Sequence, residues 1–360
     1  MAASDPRDRA GALVPAGSPD ELTATWVGAA LDAPVRAVEV LDAHSGTTGR
    51  VRLGVTYAGA QPGRPASVFV KLAPFDERQR RFVDAVGLGV AEARFYRDVA
   101  ARTPVRRPRV WHAAVVGDRY VMVLEDLVAS GARFPTPRDP DLVGYVTRLV
   151  DELAALHARF WASPELVDGP LAFVGDGRRL QFGGGGPFIA RALDRFADEL
   201  PPAFRAVGDL YVARAPDIAA LFDVEPRTLA HGDPHLGNLF ADGDRPGFFD
   251  WGMVQHRSGM WDVAYVLCQS VPTTLRRAHE RAWLDQYRAR LGEHGITLDA
   301  ATAWDQYRLF AVYAWASATS TAGVGERWQR AEVGQGGMAR ATAAVEDLDV
   351  VAFLQGRLSA

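Results

Sequence analysis

From residue 35 to 124 the apolar side chains either alternate with polar ones or gather in short valine-rich runs. Five such segments, Ala37–Leu41, Val51–Tyr57, Ser67–Leu72, Val110–Val115 and Tyr120–Leu124, predict β-strands. A helical pattern over Gly89–Ala101 interrupts them, so this stretch reads as an antiparallel sheet with one packed helix. Ahead of it, Ser18-Pro19-Asp20-Glu21 has the form of a capping box with proline at the first helical position, which predicts a short helix through Leu31. Residues 1–17 mix Ala, Gly, Pro and charge without periodicity and predict a disordered tail. After Glu125-Asp126-Leu127 the period changes. A proline-rich turn, Phe134 to Pro140, leads into Leu142, Val146, Leu149, Leu153, Leu156 and Phe160, whose spacing of three and four predicts a long helix ending near Trp161. From Arg191 onward the chain reads as mainly helical, apart from a β-rich stretch around Leu229–Asp250. The fold class expected is therefore α+β, with an N-terminal lobe over 18–126 and a larger helical lobe over 127–360.

Composition narrows the function classes. At 360 residues the chain is long enough for two cores, and its formal net charge of −4 and pI of about 6.1 supply no basic field for nucleic acid or an anionic membrane. No apolar run reaches the ~18 residues of a membrane span. The single cysteine, Cys268, rules out an internal disulfide, and residues 1–15 carry acids and prolines rather than the apolar core of a secretory signal. The expectation is a soluble, cytoplasmic protein. Lysine plus arginine total 40, yet lysine occurs once, at Lys71, and asparagine once, at Asn238. In a chain rich in Ala, Arg and Gly, a lysine persists most easily where arginine will not serve, because a compact ammonium and a planar fork are not interchangeable at a tight phosphate site.

The segment His231-Gly232-Asp233-Pro234-His235-Leu236-Gly237-Asn238 is followed, twelve residues after Asn238, by Asp250-Trp251-Gly252. An aspartate, an asparagine five residues on and a second aspartate beyond a short apolar strand supply three oxygen groups from adjacent loops. Magnesium needs few protein ligands, because phosphates and water complete its octahedron. In this arrangement Asp233 orients an attacking hydroxyl and accepts its proton, while Asn238 and Asp250 hold the metal.

These motifs resemble those of the aminoglycoside phosphotransferase and ecdysteroid-kinase-like family, distant relatives of protein kinases, whose catalytic loop reads His-Gly-Asp-x-His-x-x-Asn and whose metal loop begins Asp-Trp or Asp-Phe. The resemblance runs from about residue 36 to 350 and is densest over 229–268. It implies a protein-kinase-like fold of two lobes, with ATP and Mg2+ as cofactors and a small-molecule hydroxyl as acceptor. By the same resemblance Lys71, on Ser67-Val68-Phe69-Val70-Lys71-Leu72, points at the α- and β-phosphates and pairs with Glu92 of Ala91–Tyr96. Asp262, in Trp261-Asp262-Val263-Ala264, matches the aspartate that braces the catalytic loop through backbone amides. The run Tyr120–Leu127 looks like the lobe hinge, where backbone around Glu125 and Leu127 recognises adenine. The turn His44-Ser45-Gly46-Thr47-Thr48-Gly49-Arg50 reads either as an ordinary hairpin turn or as a nucleotide lid with Ser45, Gly46, Thr47 and Thr48 near phosphate. Its place before the lysine strand favours the lid, and it lacks a Walker pattern.

Other readings are narrower. His231, Asp233 and His235 could belong to a metal-dependent hydrolase, but that leaves Lys71 without a role. In the kinase reading His231 supports the loop backbone, and His235 stands where protein kinases place a lysine. A nucleotide-binding pseudokinase would have no need of every polar position present here. A protein kinase needs an Ala-Pro-Glu motif, which is absent, and an activation segment, for which the eleven residues between Asp250 and Asp262 leave little room. His157, beside Phe160 and Trp161, reads as a packing histidine. The four glycines Gly183–Gly186 read as a flexible surface linker. Residues 271–360 contain ten Arg against ten Asp plus Glu, a balance that does not recommend a polycationic aminoglycoside. Trp304, Tyr307, Phe310, Tyr313, Trp315 and Trp328 predict a buried helix face first, and the wall of an apolar or sugar-like pocket second.

The scarcity of lysine makes a direct prediction. Lys71→Arg should melt near the wild-type temperature, since charge and most of the stem survive, yet lose on the order of 10²-fold in transfer because the larger fork displaces the phosphates. ADP release at saturating donor and acceptor, measured beside a thermal melt, checks it; near-normal activity would make the lone lysine an accident of composition.

Overall fold

The computed structural model describes residues 13–169, 171–175, 186–196, 198–324 and 331–359. The chain forms two compact units. The first runs to Arg133 and also takes Ala241–Gly243 and Gly247–Val254; the second comprises Phe134–Phe240, Asp244–Pro246 and the chain from Gln255 on.

In the first unit, α1 (Ala24–Leu31) precedes β1 (Val35–Ser45), β2 (Gly49–Tyr57) and β3 (Ser67–Leu72); α2 (Glu77–Val86) and α3 (Leu88–Arg94) follow, then β4 (Val110–Val116) and β5 (Arg119–Glu125). The strands make one antiparallel sheet in the order β1-β2-β3-β5-β4. Side chains of successive residues point to opposite faces. One face therefore collects Val51, Leu53 and Val55 of β2, Val68, Val70 and Leu72 of β3, and Val121 and Val123 of β5, all packed with Trp26, Val27, Ala30 and Leu31 of α1. The alternate positions, Arg50, Arg52, Lys71 and Tyr120 among them, belong to the other face. Burying eight β-sheet aliphatics against α1 contributes roughly 1.5–3 kcal/mol per side chain before entropy is counted.

Three local expectations change. From Leu13 onward the expected tail is packed: Leu13 and Ala16 are buried in this core, and the Trp26 indole donates to the Val14 carbonyl at 2.8 Å. The capping box does not form. Pro19–Glu21 is a single tight turn, Ser18 caps nothing, and Glu21 accepts instead from the Gly17 amide at 2.9 Å. The helix starts later, capped by the Thr23 hydroxyl, which accepts from Trp26 N at 3.2 Å. The helix α2 was not anticipated, although Asp76 marks its start by accepting from Gln79 N at 2.9 Å. The expected helix over Gly89–Ala101 is present as α3 extended through a wide π-type turn, Phe95–Val99.

In the second unit, α4 (Leu142–Phe160) is the long amphipathic helix predicted from its spacing, with Val146, Leu149, Leu153, Leu156 and Phe160 fully buried. It is followed by α5 (Ala172–Gly175), α6 (Gly186–Phe196), α7 (Pro202–Leu221) and β6 (Thr228–Ala230). After β6 in the chain, the hairpin of β7 (Leu239–Asp242) and β8 (Arg245–Phe248), whose residues are divided between the two units, turns at Gly243, where a φ of +57° suits glycine. Then come β9 (Gln255–Arg257), paired antiparallel with β6, and α8 (Met260–Gln269), α9 (Thr273–Glu293), α10 (Ala300–Val324), α11 (Ala331–Asp347) and α12 (Val350–Leu358). Pro216 cannot donate to residue 212, and α7 kinks at Arg214, where φ is −128°. The helix α10 packs against α6, α8 and α11, so it is apolar on nearly every side. Tyr307, Phe310, Tyr313 and Trp315 are accordingly core residues, while Trp328 and Gly183–Gly185 lie outside the described residues. Among the described residues no helix is long and apolar enough to cross a membrane.

The packing of α3 on the sheet allows no side chain at Gly89. A Cβ there would lie 1.9 Å from Tyr120 Cζ, and Tyr120 is itself buried. Gly89→Ala should therefore destabilise by about 1–3 kcal/mol despite the better helix propensity of alanine. A chemical denaturation midpoint equal to wild type would show that the ring moves aside without cost.

Candidate active site

Three of the sequence-predicted residues meet in the first unit. Lys71 on β3 is 4% exposed; its Nζ lies 2.5 Å from Glu92 Oε2 and 3.1 Å from Asp250 Oδ1. Glu92 projects from α3 and is 1% exposed. Two features of the sequence hold Asp250 there. Asp250 itself adopts a left-handed backbone, φ +63° and ψ +63°, a conformation aspartate tolerates better than bulkier residues. Trp251, next in the chain, stacks on Phe95 with ring centroids 4.0 Å apart and planes 9° from parallel. Phe95 stands three residues after Glu92, so one face of α3 and its continuation both pairs with Lys71 and anchors the segment bearing Asp250.

The second unit assembles the other group. Asp262 of α8 has no exposed surface; it accepts from His231 N at 2.6 Å and Gly232 N at 2.9 Å and lies 3.2 Å from His157 Nε2. His157 is held from behind by the Tyr287 hydroxyl, 2.9 Å from Nδ1. Gly259 leaves room for that pair, because a Cβ there would lie 2.2 Å from the Tyr287 oxygen. His157 thus does more than fill space, as it completes the surroundings of a buried carboxylate. The loop turns at Gly232, φ +87°, and brings Asp233 N within 3.3 Å of His231 Nδ1. Asn238 Nδ2 donates to the Asp233 carbonyl at 2.9 Å and to Asp233 Oδ2 at 3.0 Å. His235 is occupied locally: its Nδ1 accepts from Gly237 N at 3.0 Å, while its Nε2 lies 3.7 Å from Asp233 Oδ2.

The remaining predicted residues are placed as follows. Ser45, at the end of β1, bonds Gln79 Oε1 at 3.1 Å and accepts from Phe75 N at 3.0 Å, which ties the turn to α2. Gly46 N donates to the Thr48 carbonyl at 3.1 Å, Thr47 is half-buried, and Thr48 is buried. The Glu125 side chain serves the sheet edge: it takes two bonds from Arg106, at 2.8 and 3.0 Å, and one from Arg109 N at 2.9 Å. Leu127 is buried, and its carbonyl accepts from Ala132 N at 3.0 Å. Among the described residues, no group of three or more His, Cys, Asp or Glu side chains is arranged to hold a metal ion, so the hydrolase arrangement of His231, Asp233 and His235 finds no support.

Sequence reasoning missed three participants. Arg50, on β2 directly across the ladder from Lys71, brings Nη2 to 3.7 Å from Asp250 Oδ2. Tyr265, buried on α8, donates its hydroxyl to Asp233 Oδ1 at 2.5 Å and lies 3.0 Å from Ser317 Oγ on α10. Its place three residues after Asp262, on the same side of the helix, was the available signal. Asp126 accepts from Arg52, from Ser67 Oγ at 2.8 Å and from Val128 N at 3.2 Å. Burial acts to raise its carboxyl, and the bonds from Arg52 and Ser67 outweigh that and lower it.

Burial pushes the Glu92 carboxyl up from 4.5 to about 7, against the opposing pull of Lys71 and with Asp250 adding to the rise. Between those values the folded protein binds more protons than the unfolded chain, so stability falls as pH rises through this window. Glu92→Gln removes the titration. The unfolding free energy of the variant relative to wild type should grow between about pH 5 and about pH 8. Urea titrations at the two pH values measure it, and a pH-independent difference would mean that Glu92 ionises in its ordinary range.

Comparison with known proteins follows the same lines. No curated protein matches the chain. A putative aminoglycoside phosphotransferase from Ralstonia eutropha JMP134 shares 16% identity at a TM-score of 0.55, over 88% of this chain and 93% of its own. Aminoglycoside 2'-phosphotransferase-IIIa, solved as its GDP complex, shares 14% at 0.54, over 87% and 94%. Choline kinase from Cryptosporidium parvum Iowa II shares 10% at 0.53, over 90% and 94%. At such identities the likeness is one of fold, and it is the α+β, protein-kinase-like fold expected from the strand and helix pattern. A family model described as the phosphotransferase enzyme family matches residues 60–310. With that match covering most of its length, the chain belongs to the phosphotransferase enzyme family.

Proposed function

We propose that this phosphotransferase moves the γ-phosphoryl group of ATP, with Mg2+, onto a hydroxyl of a small molecule, and that Asp233 accepts the proton of that hydroxyl. The observation that carries the reading is the setting of Asp233. Its carboxylate is fixed from one side by Tyr265 and from the other by Asn238, yet its side chain keeps 26% of its surface exposed for an incoming group. A hydroxyl at hydrogen-bond distance from either oxygen is oriented for attack and loses its proton to the carboxylate as the new P–O bond forms and the bond to ADP breaks.

The residues suited to magnesium fit its preferences. Both donor hydrogens of the Asn238 amide go to Asp233, which directs the amide oxygen away as a ligand, and Asp250 offers a carboxylate 28% exposed. Magnesium needs few protein oxygens, because phosphates and water supply the rest. When bound, the ion would neutralise charge on the phosphates. Lys71, aligned by Glu92, would hold the α- and β-phosphate oxygens with a compact ammonium. Asp262 does no chemistry in this scheme; it fixes the backbone from which Asp233 projects.

Asp233→Asn keeps the size of the side chain and removes its basicity. It should bind ATP within a fewfold of wild type and lose on the order of 10²-fold or more in turnover. Calorimetric ATP affinity, read beside ADP release with an acceptor found by screening hydroxyl compounds and verified by product mass, tests this. Undiminished turnover would remove Asp233 from the role.

A further inference from the structure

We propose that Arg50 is a second phosphate-binding cation, held on Asp250 in the nucleotide-free protein and released to the nucleotide when magnesium takes that carboxylate. The proposal presupposes that Lys71 and Asp250 hold a nucleotide, as above. The register of the sheet makes the first argument. Arg50 faces Lys71 across the β2–β3 ladder, and side chains of such a pair stand side by side on one face. Both cations reach the same carboxylate, Lys71 Nζ on Oδ1 at 3.1 Å and Arg50 Nη2 near Oδ2 at 3.7 Å.

The second argument is the looseness of the Arg50 contact. At 3.7 Å it is beyond hydrogen-bond reach, and the Arg50 side chain is 39% exposed, so its fork of donors is not used up on Asp250. Its Nε lies 3.5 Å from the Thr48 hydroxyl, which leans the side chain along the turn Ser45–Gly49. Arg52, two residues on and on the same face, shows what a structural arginine looks like here: it makes three contacts of 3.0–3.3 Å with the buried Asp126.

The third argument is charge. Lys71 is shared between Glu92 and Asp250, whereas Arg50 has Asp250 as its one carboxylate partner among the described residues. Without Arg50 the Asp250 carboxylate would be offset by Lys71 alone, a setting less favourable to phosphate. Magnesium on Asp250 satisfies the carboxylate that Arg50 had faced, and the guanidinium then meets phosphate oxygens, for which its planar fork is well matched. No bond is made or broken in this exchange of partners.

Calorimetry with Mg-ADP and with adenosine, which lacks phosphates, separates this role from a structural one. Arg50→Gln should fold with a melting temperature near wild type, weaken Mg-ADP binding on the order of tenfold, and leave adenosine affinity within about twofold. Arg50→Lys, which keeps the charge without the fork, should fall between. Equal weakening for adenosine and Mg-ADP would assign Arg50 to the fold of the nucleotide turn and overturn the proposal. Unchanged or tighter Mg-ADP binding would overturn it too, by showing that the guanidinium serves only Asp250. If wild type binds Mg-ADP and Lys71→Met does not, the phosphotransferase reading survives either outcome. If wild type binds no Mg-ADP, that reading falls and the Arg50 assignment with it.

Discussion

A carboxylate buried to zero exposure has to be given back the hydrogen bonds it had in water, and Asp262 receives them from the backbone of the loop that bears Asp233. His231 N and Gly232 N both donate to it, and His157 closes the remaining side. The cost of burying such a charge without partners is several kcal/mol, so the loop has one low-energy place to be. The support extends outward through Tyr287 behind His157, the Thr228 hydroxyl on the His157 carbonyl at 2.7 Å, and glycine at 259, where a side chain would collide with both rings. From that fixed backbone the positive φ of Gly232 turns the chain, and Asp233 leaves it in a single direction.

The first unit solves a different electrostatic problem. Lys71 is buried between two carboxylates, and an ammonium tolerates that only where both are held still. Glu92 is held by the packing of α3, whose glycine at 89 lets the helix approach Tyr120 closely. Asp250 is held by a residue that is not charged at all. The stack of Trp251 on Phe95 converts aromatic burial into the position of a carboxylate, and it uses the same helix that positions Glu92. A shift of α3 would therefore move both partners of the lysine together.

How much of this was legible in the sequence can be argued from particular residues. Lys71 and Asn238 stood out because composition isolated them, and both lie in polar clusters, Lys71 between Glu92 and Asp250, Asn238 on Asp233. The five strands and α4 were legible because one face of each is buried, which stamps a period on the chain. The helix α2 was missed because its charged residues hide the period, although Asp76 capped it in plain view. The capping box at Ser18 failed because Glu21 found a better donor in Gly17 N, a competition between neighbours that motif matching does not weigh. Arg50 was invisible as a site residue among 39 arginines, the Lys+Arg total of 40 less the single lysine, since only the strand register sets it beside Lys71.

The helix α10 shows why the core reading of the aromatic residues in the second half holds. Their spacing predicted a buried helix face, and packing against α6, α8 and α11 buries more than one face. Phe310, Tyr313 and Trp315 are sealed in the core, and the Tyr313 hydroxyl donates to the Gly232 carbonyl at 3.3 Å. The half-exposed residue that matters on α10 is Ser317, which meets the Tyr265 hydroxyl and through it Asp233. The central helix of the unit is thus joined to the carboxylate by two hydroxyl groups in series. Tyr265 gives its one proton to Asp233 and so accepts from Ser317, and the series holds only while α8 and α10 stay in register, which makes the position of Asp233 a property of the helix packing as well as of its own loop.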